Sequence, residues 1–192
     1  MAAKSLLLFL LVFCSQLPWT GESADILMES KATIIFTGQP GYARGECCNF
    51  EPASVYINSN CATQDVSMVV LHESQHLLGH LYLSDDGTPL YEYWSRKSAW
   101  DRFTPLALSC GKRYAPGSLP LIVKFANLGP WELHAQLPWL MNGRLCQELQ
   151  PWYPWFDLGD APTLTDSSPS RKSHAAYRSI RSYMYHQRSS PR

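Results

Sequence analysis

Residues 66–83 read VSMVVLHESQHLLGHLYL, and the conformation of this stretch decides the fold. Its first part, Val66 to Leu71, is apolar and rich in β-branched residues, which favours a buried strand. A strand, a tight fold-back around Gly79 and a second strand would give a non-catalytic β domain. One continuous helix would instead gather His72 and His76 on one face, because residues four apart share a helix face.

The segment His72-Glu73-Ser74-Gln75-His76 fits the pattern H-E-x-x-H. On a helix, His72 and His76 could hold one zinc ion while Glu73 activates a water molecule. The motif resembles the start of the metzincin signature. The sequence therefore carries one catalytic interpretation, a small secreted zinc metallopeptidase with zinc as its cofactor.

No third zinc ligand is evident near this motif. The metzincin pattern would place that ligand at Tyr82, and His80 would lie about 12 Å from His72 along a continuous helix. Glu92 offers a distal carboxylate, but it is closer to His76 than in zincins of the thermolysin type. Only 47 residues separate the predicted signal peptide from His72. These features favour the β interpretation.

The same residues resemble the Greek-key signature of the βγ-crystallin family. Val70 and Leu71 match its first strand, and Glu73, Leu77 and Gly79 follow at the spacing of that signature. A glycine in such a fold-back occupies a turn where a side chain would clash or where φ must be positive.

Further segments carry this resemblance on both sides of the motif. Gly87 to Trp94 is similar to the family's Gly-x-x-Pro stretch, and Trp100 to Leu108 to its closing loop and last strand. A weaker first copy runs from Ile34 to Gly45 and ends with Ser54 to Ile57. The resemblance implies an all-β fold, a small Greek-key sandwich over roughly residues 31–110.

The resemblance also implies a calcium site, in a degraded form. Asp101 and Thr104 match part of the family's ligand set, as do Glu51 and Ser54 in the weaker copy. Calcium prefers six to eight oxygen ligands, which these residues do not supply. We therefore expect weak calcium binding at most.

The N-terminus predicts export. Lys4 precedes an apolar run from Leu6 to Cys14, and small residues near Ser23 and Ala24 offer a cleavage site. This layout is typical of a cleavable signal peptide over residues 1–24 and is too short for a membrane span. We expect a secreted, extracellular protein without a membrane span.

Charge is unevenly distributed along the chain. Residues 25–166 contain 9 Lys/Arg and 15 Asp/Glu, whereas residues 167–192 contain 6 Lys/Arg and no acidic residue. Residues 161–192 are therefore predicted to be a disordered basic tail, either simply solvated or able to contact acidic surfaces. No nucleic-acid partner is expected.

Cysteine content predicts disulfides in an oxidising compartment. The candidates after signal removal are Cys47, Cys48, Cys61, Cys110 and Cys146. Their number is odd, so at least one is free or pairs between chains. Cys47 or Cys48 with Cys61, and Cys110 with Cys146, are plausible pairs that the sequence does not settle.

Residues 113–160 repeat an aromatic-proline pattern at Gly129-Pro130-Trp131, Leu137-Pro138-Trp139 and 151–155. Proline keeps such a segment out of regular helix and central strand, so an irregular extension is predicted. The tryptophans either pack on the β-sandwich domain of residues 25–112 as a lid or form a surface for a glycan or protein.

The sequence thus favours a secreted non-enzymatic β domain that binds an extracellular protein, a glycan or weakly calcium. The zinc metallopeptidase at His72, Glu73 and His76 is the first alternative. A signalling or toxin-like ligand with a basic docking tail is the second.

Overall fold

A computed structural model describes residues 3–5, 32–37, 45–50, 53–58 and 63–165 of the chain. Three earlier predictions fall wholly or largely outside these ranges: the signal peptide, Cys61 and the basic tail beyond residue 165. The earlier ranges supply a small sheet, and the long last range is helical with short connections.

The described sheet has four strands in the order β1-β2-β4-β3. They are β1 (Ala3–Ser5), β2 (Thr33–Thr37), β3 (Gly45–Phe50) and β4 (Ala53–Asn58). The two central strands β2 and β4 are parallel, whereas β1 and β3 pair antiparallel at the edges.

The central strands form because apolar residues alternate along them, as a strand buried on one face requires. Ile34, Val55 and Ile57 are fully buried. Strands occur at the start and at the end of the weaker copy, since Ile34 lies in β2 and Ser54 to Ile57 lie in β4.

The described helices follow the sheet in chain order. They are α1 (Thr63–Leu81), α2 (Leu90–Arg96), α3 (Trp100–Tyr114), α4 (Leu119–Leu128) and α5 (Pro130–Leu140), with 3-10 segments at Pro116–Ser118 and Gln147–Trp152. Helix α1 contacts β3 and β4 of the sheet, and it also contacts α5.

The strand predicted at Val66 to Leu71 is wrong, because these residues lie in α1. Val70 and Leu77 are fully buried, and Leu71 and Leu78 form a second buried pair seven residues apart. A spacing of seven returns to the same helix face after two turns. Tertiary burial of these pairs outweighs the small helix penalty of the β-branched valines.

The βγ-crystallin resemblance and the all-β Greek-key sandwich are also wrong. Gly79 lies inside α1, so the predicted fold-back does not exist. Gly87 to Trp94 forms a turn and α2, and Trp100 to Leu108 forms the first part of α3. Isolated glycines and aromatic residues fit a β signature and a helical core equally well, since both bury apolar side chains at close spacing.

The irregular Trp/Pro-rich extension is likewise corrected, since much of residues 113–160 is helical. Pro120 and Pro130 lie in the first turns of α4 and α5. Proline is tolerated there because the backbone N–H groups of a first turn lack helical partners in any case. The tryptophans differ in burial, since Trp152 and Trp155 are buried whereas Trp131 is exposed.

Cys110 and Cys146 form a disulfide between α3 and the connection after α5, and both are fully buried. Cys47 and Cys48 lie in β3. Within the described ranges, no helix combines the length and apolar character needed to cross a bilayer.

Candidate metal centre

Helix α1 presents two imidazoles to one point in space. His72 and His76 lie one turn apart, and their Nε2 atoms are 3.1 Å from each other. The rings meet edge to face, with centroids 4.8 Å apart. The helical convergence that H-E-x-x-H requires is therefore present.

Helix α5 adds a carboxylate to this pair. Glu132 lies in the first turn of α5, where the helix dipole stabilises a negative charge. One of its oxygens is 3.3 Å from His72 Nε2, and the other is 3.6 Å from His76 Nε2. Glu132 carries no signal in the sequence, because the Gly-Pro-Trp segment before it predicts irregular structure rather than a helix start.

Gly129 sets the position of Glu132. It ends α4 and begins α5 with φ 142° and ψ 161°, a conformation accessible essentially only to glycine. Gly129 thus lets α5 begin directly after α4, and α5 contacts both α4 and α1.

The donor atoms of the three groups lie within 4.8 Å of one another, close to the spacing that a tetrahedral metal needs. Bonds of about 2.0–2.1 Å from zinc to its ligands place neighbouring donor atoms of a tetrahedron about 3.3 Å apart. The three observed separations are 3.1, 3.3 and 3.6 Å, the two to Glu132 involving different carboxylate oxygens. Within the described part of the chain, His72, His76 and Glu132 form the group of three ligand-type side chains that converge.

The Nδ1 atom of each imidazole also has a hydrogen-bond partner. His72 Nδ1 lies 2.8 Å from Oε1 of the buried Gln136, one turn after Glu132 on α5. An amide oxygen accepts hydrogen bonds, so Nδ1 carries the hydrogen and Nε2 is the atom directed at the centre. His76 Nδ1 lies 3.3 Å from the Tyr91 hydroxyl.

Electrostatics separates the two histidines. Burial lowers the pKa of His72, but the hydrogen bond to Glu132 and the charges of Glu73 and Glu132 outweigh it, so that pKa is raised. Burial and the charge of His72 lower the pKa of His76 to about 4. The hydrogen bond from His72 in turn lowers the pKa of Glu132, with the nearby histidine charges adding to the effect. These directions favour a charged His72 paired with an ionised Glu132, beside a neutral His76.

Glu73 lies beside the two ligands on α1, 60° round the helix from His76 and 100° from His72. It is 8% exposed, and its charge contributes to the raised pKa of His72. A carboxylate next to the metal ligands and outside the ligand set is suited to accept a proton from bound water.

The other candidate ligands lie elsewhere. His80 is exposed, Tyr82 follows the end of α1, and Glu92 is on α2 in an ion pair with Arg96. The calcium candidates Asp101 and Thr104 lie three residues apart on α3.

Comparison with known proteins adds no identity. No family model matches the chain, and no curated protein or solved structure is significantly similar to it.

Proposed function

We propose that the protein is a zinc-dependent hydrolase of peptide bonds, with His72, His76 and Glu132 as metal ligands and Glu73 as general base. The convergence of the three side chains, with one donor atom of each within 4.8 Å of the others, is the observation that carries this proposal. Two histidines and one glutamate are a ligand set of catalytic zinc sites, which keep a fourth position for water or substrate.

Solvent access supports a catalytic rather than a structural site. The side chain of Glu132 is 41% exposed, whereas those of His72 and His76 are 13% and 16% exposed. The centre is thus buried on the α1 side and open beside the first turn of α5. The neighbouring Trp131 is exposed and offers an aromatic surface next to the opening.

The proposed chemistry assigns one task to each residue. Bound zinc would polarise the substrate carbonyl and lower the pKa of a zinc-bound water molecule. Glu73 would accept a proton from the attacking water as the oxygen of that water bonds to the carbonyl carbon. The same carboxyl group then gives the proton to the departing amine nitrogen as the C–N bond breaks. His72, His76 and Glu132 keep their places throughout.

The sheet supports a peptide as the substrate class. β3 is one of the two edge strands of the described sheet, and it contacts α1. An edge strand offers backbone N–H and C=O groups to which an extended peptide can add as a further strand.

Binding of an extracellular partner, a glycan or calcium stays a prediction, as do secretion and the docking role of the basic tail.

The test combines metal analysis with three variants of the purified protein. The wild type is expected to bind one zinc per chain and to cleave a mixture of extended peptides. Glu132→Ala should lose zinc. Glu73→Gln should keep zinc but lose about 10²- to 10⁴-fold in kcat. Glu92→Gln is the matched control, because it makes the same change at an exposed helical glutamate.

A wild type that binds no zinc would contradict the proposal. So would peptide cleavage that survives Glu73→Gln at the wild-type rate. Zinc binding without cleavage of any peptide would support the metal site and contradict the peptidase activity.

A further inference from the structure

Tyr91 lies directly on the backbone of α1 behind the metal centre. A Cβ atom built on Gly79 would meet the ring of Tyr91 at 2.1, 2.3 and 2.6 Å. The absence of a side chain at Gly79 therefore lets the ring approach the helix. This contact brings the Tyr91 hydroxyl beside His76, three residues earlier on α1.

The hydroxyl connects His76 to a second histidine in the core. Tyr91 Oη is 3.3 Å from His76 Nδ1 and 2.9 Å from His134 Nδ1. The other nitrogen of His134, Nε2, is 2.6 Å from the carbonyl oxygen of Trp152. His134 is fully buried and stacks on Tyr153 at 4.4 Å. Four groups thus form one continuous chain from the metal centre into the core.

The end of this chain fixes its direction. The Trp152 carbonyl can only accept, so His134 Nε2 carries a hydrogen and, in the neutral ring, Nδ1 is an acceptor. Tyr91 then donates its hydroxyl hydrogen to His134 Nδ1, the nearer of its acceptors. The more distant alternative is the Gln75 carbonyl at 3.4 Å. The oxygen of Tyr91 is left to accept from His76 Nδ1–H.

We propose that Tyr91 and His134 are positioning residues that hold His76 in the Nδ1–H tautomer, with its Nε2 lone pair directed at the metal. The inference rests on the proposed zinc site for its purpose, but the tautomer exists without metal. Outer-shell partners of this kind fix the ring orientation of a metal-bound histidine and raise its basicity.

The two ligands are therefore held by different means. Gln136 holds His72 through one hydrogen bond from the same helix that supplies Glu132. His76 depends on a three-residue chain that crosses from α1 through α2 to α5 and the Trp152 segment. The chain links the metal centre to the packing of elements that carry no metal ligand.

Tyr91→Phe is the decisive variant, because it keeps the ring and removes the hydroxyl. It should weaken zinc affinity by about 10- to 100-fold, measured by competition with a chelator. The visible absorption of the cobalt-substituted protein should also change, since that spectrum reports ligand geometry. A purely structural tyrosine would leave the cobalt spectrum unchanged.

Tyr153→Phe is the matched control. Tyr153 is also fully buried, and its hydroxyl donates to a backbone carbonyl, that of His134, at 2.8 Å. The variant should lose stability but keep the zinc affinity and cobalt spectrum of the wild type. Equal loss of affinity in both variants, or none in Tyr91→Phe, would overturn the inference.

Nitrogen NMR of histidine-labelled, metal-free protein at neutral pH separates this inference from the proposed function. The wild type should show His76 as the Nδ1–H tautomer and His134 as the Nε2–H tautomer, and Tyr91→Phe should abolish the preference at His76. If these tautomers appear in a protein that binds no zinc, the chain stands and the peptidase fails. If His76 carries its hydrogen on Nε2, the chain itself is refuted.

Discussion

Gly79→Ala tests how closely α1 and Tyr91 are fitted together. Gly79 lies inside a helix, where alanine is ordinarily favoured over glycine by about 1 kcal/mol. Propensity alone therefore predicts that the substitution stabilises the protein. The structure predicts the opposite sign, because the added methyl group overlaps three atoms of the Tyr91 ring.

The size of the effect follows from how little the ring can move. Tyr91 is 4% exposed and contacts Trp94, Trp100 and His134. Overpacking of a closed core costs about 1–3 kcal/mol, and overlap with a rigid ring belongs at the upper end. Subtracting the helix gain leaves a net destabilisation of about 2 kcal/mol. For a domain of this size, that lowers Tm by about 4–8 °C.

The assay is urea and thermal unfolding in the presence of EDTA, which removes any contribution from metal. Gly117→Ala is the control, since no atom lies within 4 Å of the added Cβ, and it should change stability by less than about 0.5 kcal/mol. In a Tyr91→Ala background, Gly79→Ala should become neutral or stabilising, which makes a double-mutant cycle. A Gly79→Ala protein as stable as the wild type would refute the close packing of Tyr91 on α1.

Two further predictions concern stability. Burial lowers the pKa of His134 to about 3 and that of His76 to about 4, so the unfolded chain takes up these protons first as pH falls below 6.5. The free energy of unfolding of the metal-free protein should fall by about 3 kcal/mol by pH 4.5 through His134 alone, and the raised pKa of His72 offsets part of this loss. A urea midpoint that stays constant from pH 7.5 to 4.5 would contradict this prediction. Replacing Cys110 and Cys146 by alanine removes a crosslink between residues 36 positions apart. The free energy of unfolding, measured with urea, should fall by up to about 4 kcal/mol. An unchanged urea midpoint would show that this disulfide does not stabilise the fold.

The H-E-x-x-H pattern was visible in the sequence. Once the segment is a helix, a separation of four residues places the imidazoles of His72 and His76 on one face. The pairs Val70–Leu77 and Leu71–Leu78 carry the helix signal at a spacing of seven. The valines were given too much weight, since β propensity largely reflects how a side chain packs in its surroundings.

The resemblance to a Greek-key family failed for a related reason. Gly79 was assigned to a turn, because a glycine within an apolar run indicates either a special backbone angle or a close approach. The sequence does not distinguish these two causes. Here the cause is the close approach of Tyr91, which depends on how α2 folds back on α1.

By itself, the sequence indicated the two histidines that converge on α1, and segments of the two central strands. These features are local, since they follow from spacing along one element. Glu132 and the chain from Tyr91 through His134 to Trp152 were decided by tertiary structure alone. Their partners lie between 15 and 64 residues apart in the sequence, and only the packing of α2 and α5 against α1 brings their atoms within hydrogen-bond distance.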